Sequence, residues 1–309
     1  MNPKTWQERF RPTNFQAESH GYRPGVGQND FGADDFGREE QFARAEPMAG
    51  PDLAWPGDLN AIPLLKCMPC ADRHILSKQL EPRQVFNSMR LLVHRLNTVR
   101  DRQALQTLMI TSAGPGEGKT TLSVNLAAML ASQGHRVLLI DADVRAPKVS
   151  QLLVDVDLPG LVEVIGQGRS LSEVLVRISL LSFVVLPAGE RLEAAEHIVE
   201  DPKFRAILRS AKLHFDWIIV DNSPLQYCAD PHLVSAMVDG SLLVVRAGHT
   251  KRADYQYAVS CLAEGRLIGS VLNDFTGEAE NYYQGYPIAP KPLALGNHRT
   301  IEIHGEDNA

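Results

Sequence analysis

From Glu81 onward, apolar residues recur in two rhythms. Phe86, Met89, Val93 and Leu96 fall three or four apart with Arg and Asn between them, the spacing of one buried helix face. Short runs that are apolar throughout then follow: Leu108 to Thr111, V-L-L-I-D at 137–141, F-V-V-L at 183–186, W-I-I-V-D at 217–221, L-L-V-V at 242–245 and I-G-S-V-L at 268–272. Helical stretches separate several of them: Thr120–Gln133, stopped by Gly134, then Phe204–Lys212 and Ala253–Glu264. Strands without a polar face need cover on both sides. Their alternation with helices predicts an α/β fold, a mostly parallel central sheet flanked by helices.

The ends of the chain follow neither rhythm. Residues 1–80 are rich in Gly, Pro, Asp, Glu, Asn and Gln, as in G-Y-R-P-G-V-G-Q-N-D-F-G-A-D-D-F-G. Such a stretch buries too little surface to offset its ordering entropy, which predicts a disordered N-terminal arm. The folded domain is expected over 81–275, and a flexible, tyrosine-containing tail over 276–309.

Composition narrows the function classes. The chain has 309 residues, 44% hydrophobic and 22% charged, with a net charge of −6. A sizeable core is within reach, and nothing suggests generic binding to nucleic acid or anionic lipid. No apolar run approaches the roughly 20 residues that span a bilayer, and the start M-N-P-K-T-W-Q-E-R-F lacks a secretory signal core. A cytoplasmic protein is expected, reaching a membrane only through a partner. Cys67 and Cys70, with His74 four residues on, have no second pair nearby, so a zinc ribbon is not indicated.

The chemistry concentrates at 111–121, T-S-A-G-P-G-E-G-K-T-T. Ala113-x-x-x-x-Gly118-Lys119-Thr120 fits a phosphate loop, with Ala in the place usually taken by the first Gly. Gly114, Gly116 and Gly118 let successive backbone N–H groups aim at phosphate oxygens, and a helix N-terminus adds attraction for the anion. Lys119 is expected at the β- and γ-phosphates and the Thr120 hydroxyl on Mg²⁺, with Glu117 and Thr121 completing the nucleotide-binding set.

Two further clusters end apolar strands. In V-L-L-I-D-A-D-V-R, Asp141 and Asp143 lie two apart and project to the same side if the backbone stays extended. Paired acids beside phosphates call for a metal ion: one carboxylate holds Mg²⁺, directly or through water, and the other accepts a proton from an incoming hydroxyl. Arg145 is placed to steady phosphate charge. Asp221, closing F-D-W-I-I-V-D, is a second acidic metal-site residue. The plainer readings are a solvated loop at Asp143 and Arg145 and a turn cap at Asp221.

With these motifs the chain resembles the bacterial tyrosine kinase (BY-kinase) family of capsule and exopolysaccharide biosynthesis, over roughly residues 82–290. The resemblance rests on S-A-G-P-G-E-G-K-T-T, L-L-I-D-A-D-V-R-A-P, L-P-A-G with the later D-P-K-F, F-D-W-I-I-V-D, V-D-G-S-L-L-V-V-R-A-G-H-T and I-G-S-V-L-N, in that order. It implies a P-loop ATPase fold and phosphorylation by ATP of tyrosines in the protein's own C-terminal region. It further implies Lys119 and Thr120 on phosphate and Mg²⁺, Asp141 and Asp221 in the metal site, and Asp143 activating the tyrosine hydroxyl. Asn273 would lie near the adenine, and Tyr282, Tyr283 and Tyr286 are the candidate acceptors. The implied activator is a membrane polysaccharide co-polymerase encoded separately.

Three departures accompany the resemblance. The helix motif Glu-x-x-Arg-x-x-Arg that assembles a ring is here Gln84-Val-Phe-Asn87-Ser-Met-Arg90, which removes the charge pairing of such a homo-oligomer. The usual Asp-Thr-Pro-Pro is Asp221-Asn-Ser-Pro224, a change expected to matter little. The tyrosines are few and are followed by more than twenty other residues. A nucleotide-dependent switch without kinase activity is the main alternative. A positioning ATPase is disfavoured, because Gly114 occupies the place of that group's extra lysine.

Overall fold

The computed structural model describes residues 53–66, 83–179, 181–191, 198–263, 265–275 and 300–304, all within the compact unit Ala49–Ala309. Its helices are α1 (Arg83–Arg102), α2 (Lys119–Ser132), α3 (Val149–Leu153), α4 (Leu161–Gln167), α5 (Leu171–Val174), α6 (Pro202–Ala211), α7 (Asp230–Ser235) and α8 (Arg252–Cys261). Its strands are β1 (Leu64–Leu65), β2 (Thr107–Ser112), β3 (Val137–Asp141), β4 (Val176–Ile178), β5 (Val184–Leu186), β6 (Trp217–Asp221), β7 (Gly240–Arg246), β8 (Leu267–Phe275) and β9 (Thr300–His304).

The strands form one sheet in the order β1-β4-β5-β3-β6-β2-β7-β8-β9. The six from β5 to β8 run parallel, and the pairs β4–β5 and β8–β9 are antiparallel. Every residue of β2, β3, β5 and β6 is buried. Alternate residues feed two separate cores, as the two-residue period of a strand requires. Leu138, Ile140, Ile218 and Val220 join one cluster with α4, α5 and α6. Val137, Leu139, Trp217 and Ile219 join the other with α1, α2 and α3. The mostly parallel, doubly covered sheet expected from the apolar runs is therefore observed.

Nearly all of α2 is buried, because it packs on β2, β3 and β6 below and on α1 above. On α1 the predicted stripe is present: Met89, Val93 and Leu96 are buried together with Leu92, and Phe86 packs partly buried against them.

Two segments assigned above to the chain's loose ends carry structure. Within the arm expected over 1–80, residues 53–66 pack on the domain. The Trp55 indole donates to Ser210 Oγ at 2.8 Å and meets Phe215 edge-on, and Ile62 is buried. β1 pairs in parallel with β4. Within the tail, β9 pairs antiparallel with β8. Both depend on edge pairing to a distant strand; β1 is too short to show a period, whereas β9, T-I-E-I-H, carries a two-residue alternation that the sequence reading passed over.

Candidate active site at the carboxyl ends of three parallel strands

Register brings the acids together. In the parallel pair β3–β6, Asp141 lies opposite Asp221, and in β2–β6 Asp221 lies opposite Ile110. Asp141 and Asp221, the last residues of β3 and β6, thus lie side by side about 5 Å apart, and β2 runs two residues past them to Ser112. The loop 113–118 leaves β2 just above them and turns into α2.

Gly118 ends that loop with φ of 95°, in the left-handed region where a Cβ is strained. A Cβ there would also run into Asn273 Nδ2. Asn273 instead donates to Glu117 O at 2.9 Å, so it clamps the phosphate loop directly. Arg246 Nη1 donates to Gly116 O at 3.4 Å while Arg246 pairs with Asp274 at 2.8 Å. The Glu117 side chain is turned inward and buried. It accepts from Thr250 Oγ1 at 2.7 Å and from the Ala113 N–H at 3.2 Å. Burial raises the Glu117 pKa, opposed by the Thr250 hydroxyl and the loop's N–H groups. The Glu117 side chain therefore braces the loop from behind.

Gly116, Gly118, Lys119, Thr120, Thr121, Asp143 and Arg145 line one cleft of about 450 Å³. Lys119 Nζ lies 2.7 Å from Asp143 Oδ2, with both groups buried. Asp143 Oδ1 accepts from Ser223 Oγ at 2.7 Å and from the Ala146 N–H at 3.3 Å. Arg145 Nε reaches Asp230 Oδ2 at 3.3 Å, which anchors the guanidinium at the cleft edge. Burial pushes Asp230 up against the pull of Arg145.

The two strand-terminal acids sit beneath this cleft. Asp141 Oδ1 accepts from the Asp143 N–H, and Oδ2 from the N–H groups of Lys148 and Val149, at 3.1–3.2 Å. Burial pushes the Asp141 pKa up to about 7, with Asp221 and Asp143 adding to the rise and the Val149 N–H and Lys119 opposing it. Asp221 Oδ1 accepts from Ser123 Oγ at 2.9 Å, whereas Oδ2 is buried with no hydrogen-bond partner. Burial raises Asp221 too, against Lys119 and the nearby Thr120 and Ser123 hydroxyls. Lys119 is raised in turn: burial works to lower it, but Asp221, Asp143 and Asp141 outweigh that.

These residues fit Mg²⁺ in a particular way. Among the described residues no three acidic, imidazole or thiol side chains converge into a metal cage. Mg²⁺ does not need one, since it takes one or two carboxylates and completes its shell with hydroxyl, water and phosphate. The unpartnered Asp221 Oδ2 beside Thr120 suits direct contact. Asp141, already holding three N–H groups, suits contact through water.

Lys119, Thr120, Asp141, Asp143 and Asp221 are thus brought together, with Arg145 at the rim, while Asn273 and Glu117 hold the loop's shape. Tyr282, Tyr283 and Tyr286, like Cys67, Cys70 and His74, lie outside the described residues. Sequence reasoning missed Ser123, Ser223, Asp230, Arg246 and Thr250. Ser223 carried a signal as part of the departing Asp221-Asn-Ser-Pro224, and Arg246 and Thr250 as part of V-V-R-A-G-H-T. A wider cleft of about 780 Å³ adjoins the site through Ala146 and Lys148 and carries Arg169 and Arg191 beside Asp157 and Glu190.

A strand, a glycine loop clamped at a left-handed turn, a core helix and acids on two adjacent parallel strands define a P-loop nucleotide-binding protein. The AAA domain family matches residues 105–246. The tyrosine-protein kinase YwqD of Bacillus subtilis is 33% identical over 175 residues, which are 56% of this chain and 73% of YwqD. The succinoglycan biosynthesis transport protein ExoP of Rhizobium meliloti is 30% identical over 198 residues, 59% of this chain and 25% of ExoP. Among solved structures, the kinase domain of the Escherichia coli tyrosine kinase ETK superposes with a TM-score of 0.59 at 28% identity, covering 67% of this chain and 78% of that one. The chain belongs to the bacterial tyrosine kinase family.

Proposed function

We propose that this protein is an ATP-dependent protein-tyrosine kinase acting on its own chain in exopolysaccharide or capsule synthesis or export. The observation that carries the reading is Asp143, a carboxylate buried against Lys119 in the phosphate-loop cleft. A tyrosine hydroxyl has a pKa near 10, so it needs a proton acceptor as it attacks at neutral pH. In the transfer, the tyrosine oxygen bonds to the γ-phosphorus as the bond to the bridging oxygen breaks. The proton passes to Asp143, and ADP leaves.

The loop's N–H groups and Lys119 hold the phosphates, and Lys119 turns from Asp143 toward them. Arg145 adds positive charge at the rim. Thr120, Asp221 and Asp141 are the residues that would hold Mg²⁺, which would supply charge neutralisation on the transferred group. Tyr282, Tyr283 and Tyr286 are the acceptors, and the wider adjoining cleft gives an incoming polypeptide room to approach.

Among the described residues no helix is long and apolar enough to cross a membrane. In the proposed function a membrane polysaccharide co-polymerase is the activator and recruits the protein from the cytoplasm. On α1, Asn87 and Arg90 are exposed, but without the usual carboxylate any homo-oligomer must use other contacts. The test is incubation with labelled ATP, with and without the partner's cytoplasmic segment, followed by mass-spectrometric phosphosite mapping. Phosphotyrosine at 282, 283 or 286 is expected. Its absence in both conditions would leave a nucleotide-driven switch.

A further inference from the structure

Asp143 is held from two sides, and the two holds differ in kind. Lys119 grips Oδ2, but the same ammonium is the group the phosphates compete for. Ser223 grips Oδ1 at 2.7 Å with a buried hydroxyl, and the Ala146 N–H adds a longer bond to the same oxygen at 3.3 Å. Ser223 is itself fixed at every polar group. Its carbonyl accepts from Thr111 Oγ1 at 2.8 Å, and its N–H donates to Asn222 Oδ1 at 2.8 Å. Asn222 N–H in turn donates to Ile110 O at 3.0 Å, which ties the segment to the end of β2. A hydroxyl locked in this manner can hold a carboxylate in one rotation about its last bond.

From this geometry we infer that Ser223 is a positioning residue for phosphoryl transfer: it pins Asp143 Oδ1 so that Oδ2 is the oxygen presented to the acceptor when Lys119 turns to phosphate. The inference rests on the kinase reading and goes beyond it. Ser223 lines the same cleft as Lys119 and Asp143, and the role inferred for it runs through its bond to Asp143. It also gives a role to one of the places where the sequence departs from its family's pattern. A proline in that position has no hydroxyl to donate. In this chain the second acidic strand thus supplies both a metal-site acid, Asp221, and, two residues on, the support for the proton acceptor on β3.

The test measures single-turnover tyrosine phosphorylation and the KM for ATP in the full chain. Four forms are compared: wild type, Ser223→Ala, Asp143→Asn and the double variant, with melting curves on each. Ser223→Ala is expected to slow transfer on the order of ten- to a hundredfold, since a loosened catalytic group loses rate steeply. Its KM for ATP should stay within about twofold. Adding Ser223→Ala to Asp143→Asn should change the rate little, because a support has nothing left to support. An unchanged rate in Ser223→Ala, or an equal loss in both backgrounds, overturns the inference. Should Ser223→Ala fail to fold, Ser223→Cys keeps the size with a much weaker donor and carries the same comparison. A wild-type chain that makes no phosphotyrosine sinks the kinase reading itself, and the positioning role with it. Normal wild-type activity with an indifferent Ser223 sinks only the latter.

Discussion

Lys119 Nζ lies 2.7 Å from Asp143 Oδ2 in a pair with side chains only 9% and 5% exposed. Asp141 and Asp221 sit close enough beneath to raise the lysine further. One ammonium thus offsets three buried acids, and the phosphate-binding lysine is also a structural counter-ion.

Lys119→Met is therefore expected to do two things. Tyrosine phosphorylation should be lost, and the fold should weaken by about 3 kcal/mol, the size seen when one partner of a buried ion pair is removed. Thermal melts of Lys119→Met and of Lys119→Met with Asp143→Asn check the second effect. The double variant should recover part of the loss, and a double variant no more stable than the single one would deny the pair any structural role.

Asp221→Asn separates metal binding from stability. The unpartnered Oδ2 is the oxygen placed for Mg²⁺, so calorimetry should show ADP binding that Mg²⁺ no longer tightens. The protein itself should melt higher than wild type, because burial disfavours a charged Asp221, and neutralising it also relieves repulsion from Asp141 at the facing register position. Unaltered magnesium dependence would move the ion elsewhere.

Gly118→Ala should damage the phosphate loop in two separable ways. The new Cβ meets Asn273, and it also sits at a φ of 95°. Asn273→Ala makes room but leaves the second strain, which by itself costs about 1 kcal/mol. The Gly118→Ala/Asn273→Ala protein should thus regain some stability over Gly118→Ala while still binding nucleotide poorly. Full recovery of nucleotide affinity would show that the left-handed turn is dispensable.

Asp239 supplies a pH-dependent staple away from the site. It accepts from Lys212 Nζ at 2.7 and 2.9 Å and from the N–H groups of Gln106 and Thr107 at 3.0 and 2.8 Å. Burial works to raise its pKa, but Lys212 and these N–H groups hold it below the usual carboxylate range. An acid depressed in the folded state stabilises fully above its unfolded pKa, near 4, and loses that contribution as pH falls through the lower folded value. The gap in stability between wild type and Asp239→Asn, about 1–2 kcal/mol for a partly buried charged pair, should be constant from pH 7 to pH 5. It should shrink below pH 4. A gap that grows on acidification would reverse the assignment.

What could be read along the chain was local. β3 and β6 end where V-L-L-I-D and W-I-I-V-D end, because a parallel strand buried on both faces must be apolar until it reaches the polar site at its end. The glycine loop and its lysine were legible for a similar reason: a phosphate cradle needs particular backbone freedom at adjacent positions. The short helices α3, α4, α5 and α7 run only four to seven residues. That is too few for a helical period to stand out.

The sequence by itself therefore determined the sheet's core strands, the phosphate loop and the identity of the acids around it. Tertiary structure alone decided which oxygen is free and which is held. Ser223 meets Asp143 across 80 residues and Thr250 meets Glu117 across 133. Such partners are brought together by strand order and register, and a lone serine or threonine carries no local pattern that announces its distant acceptor.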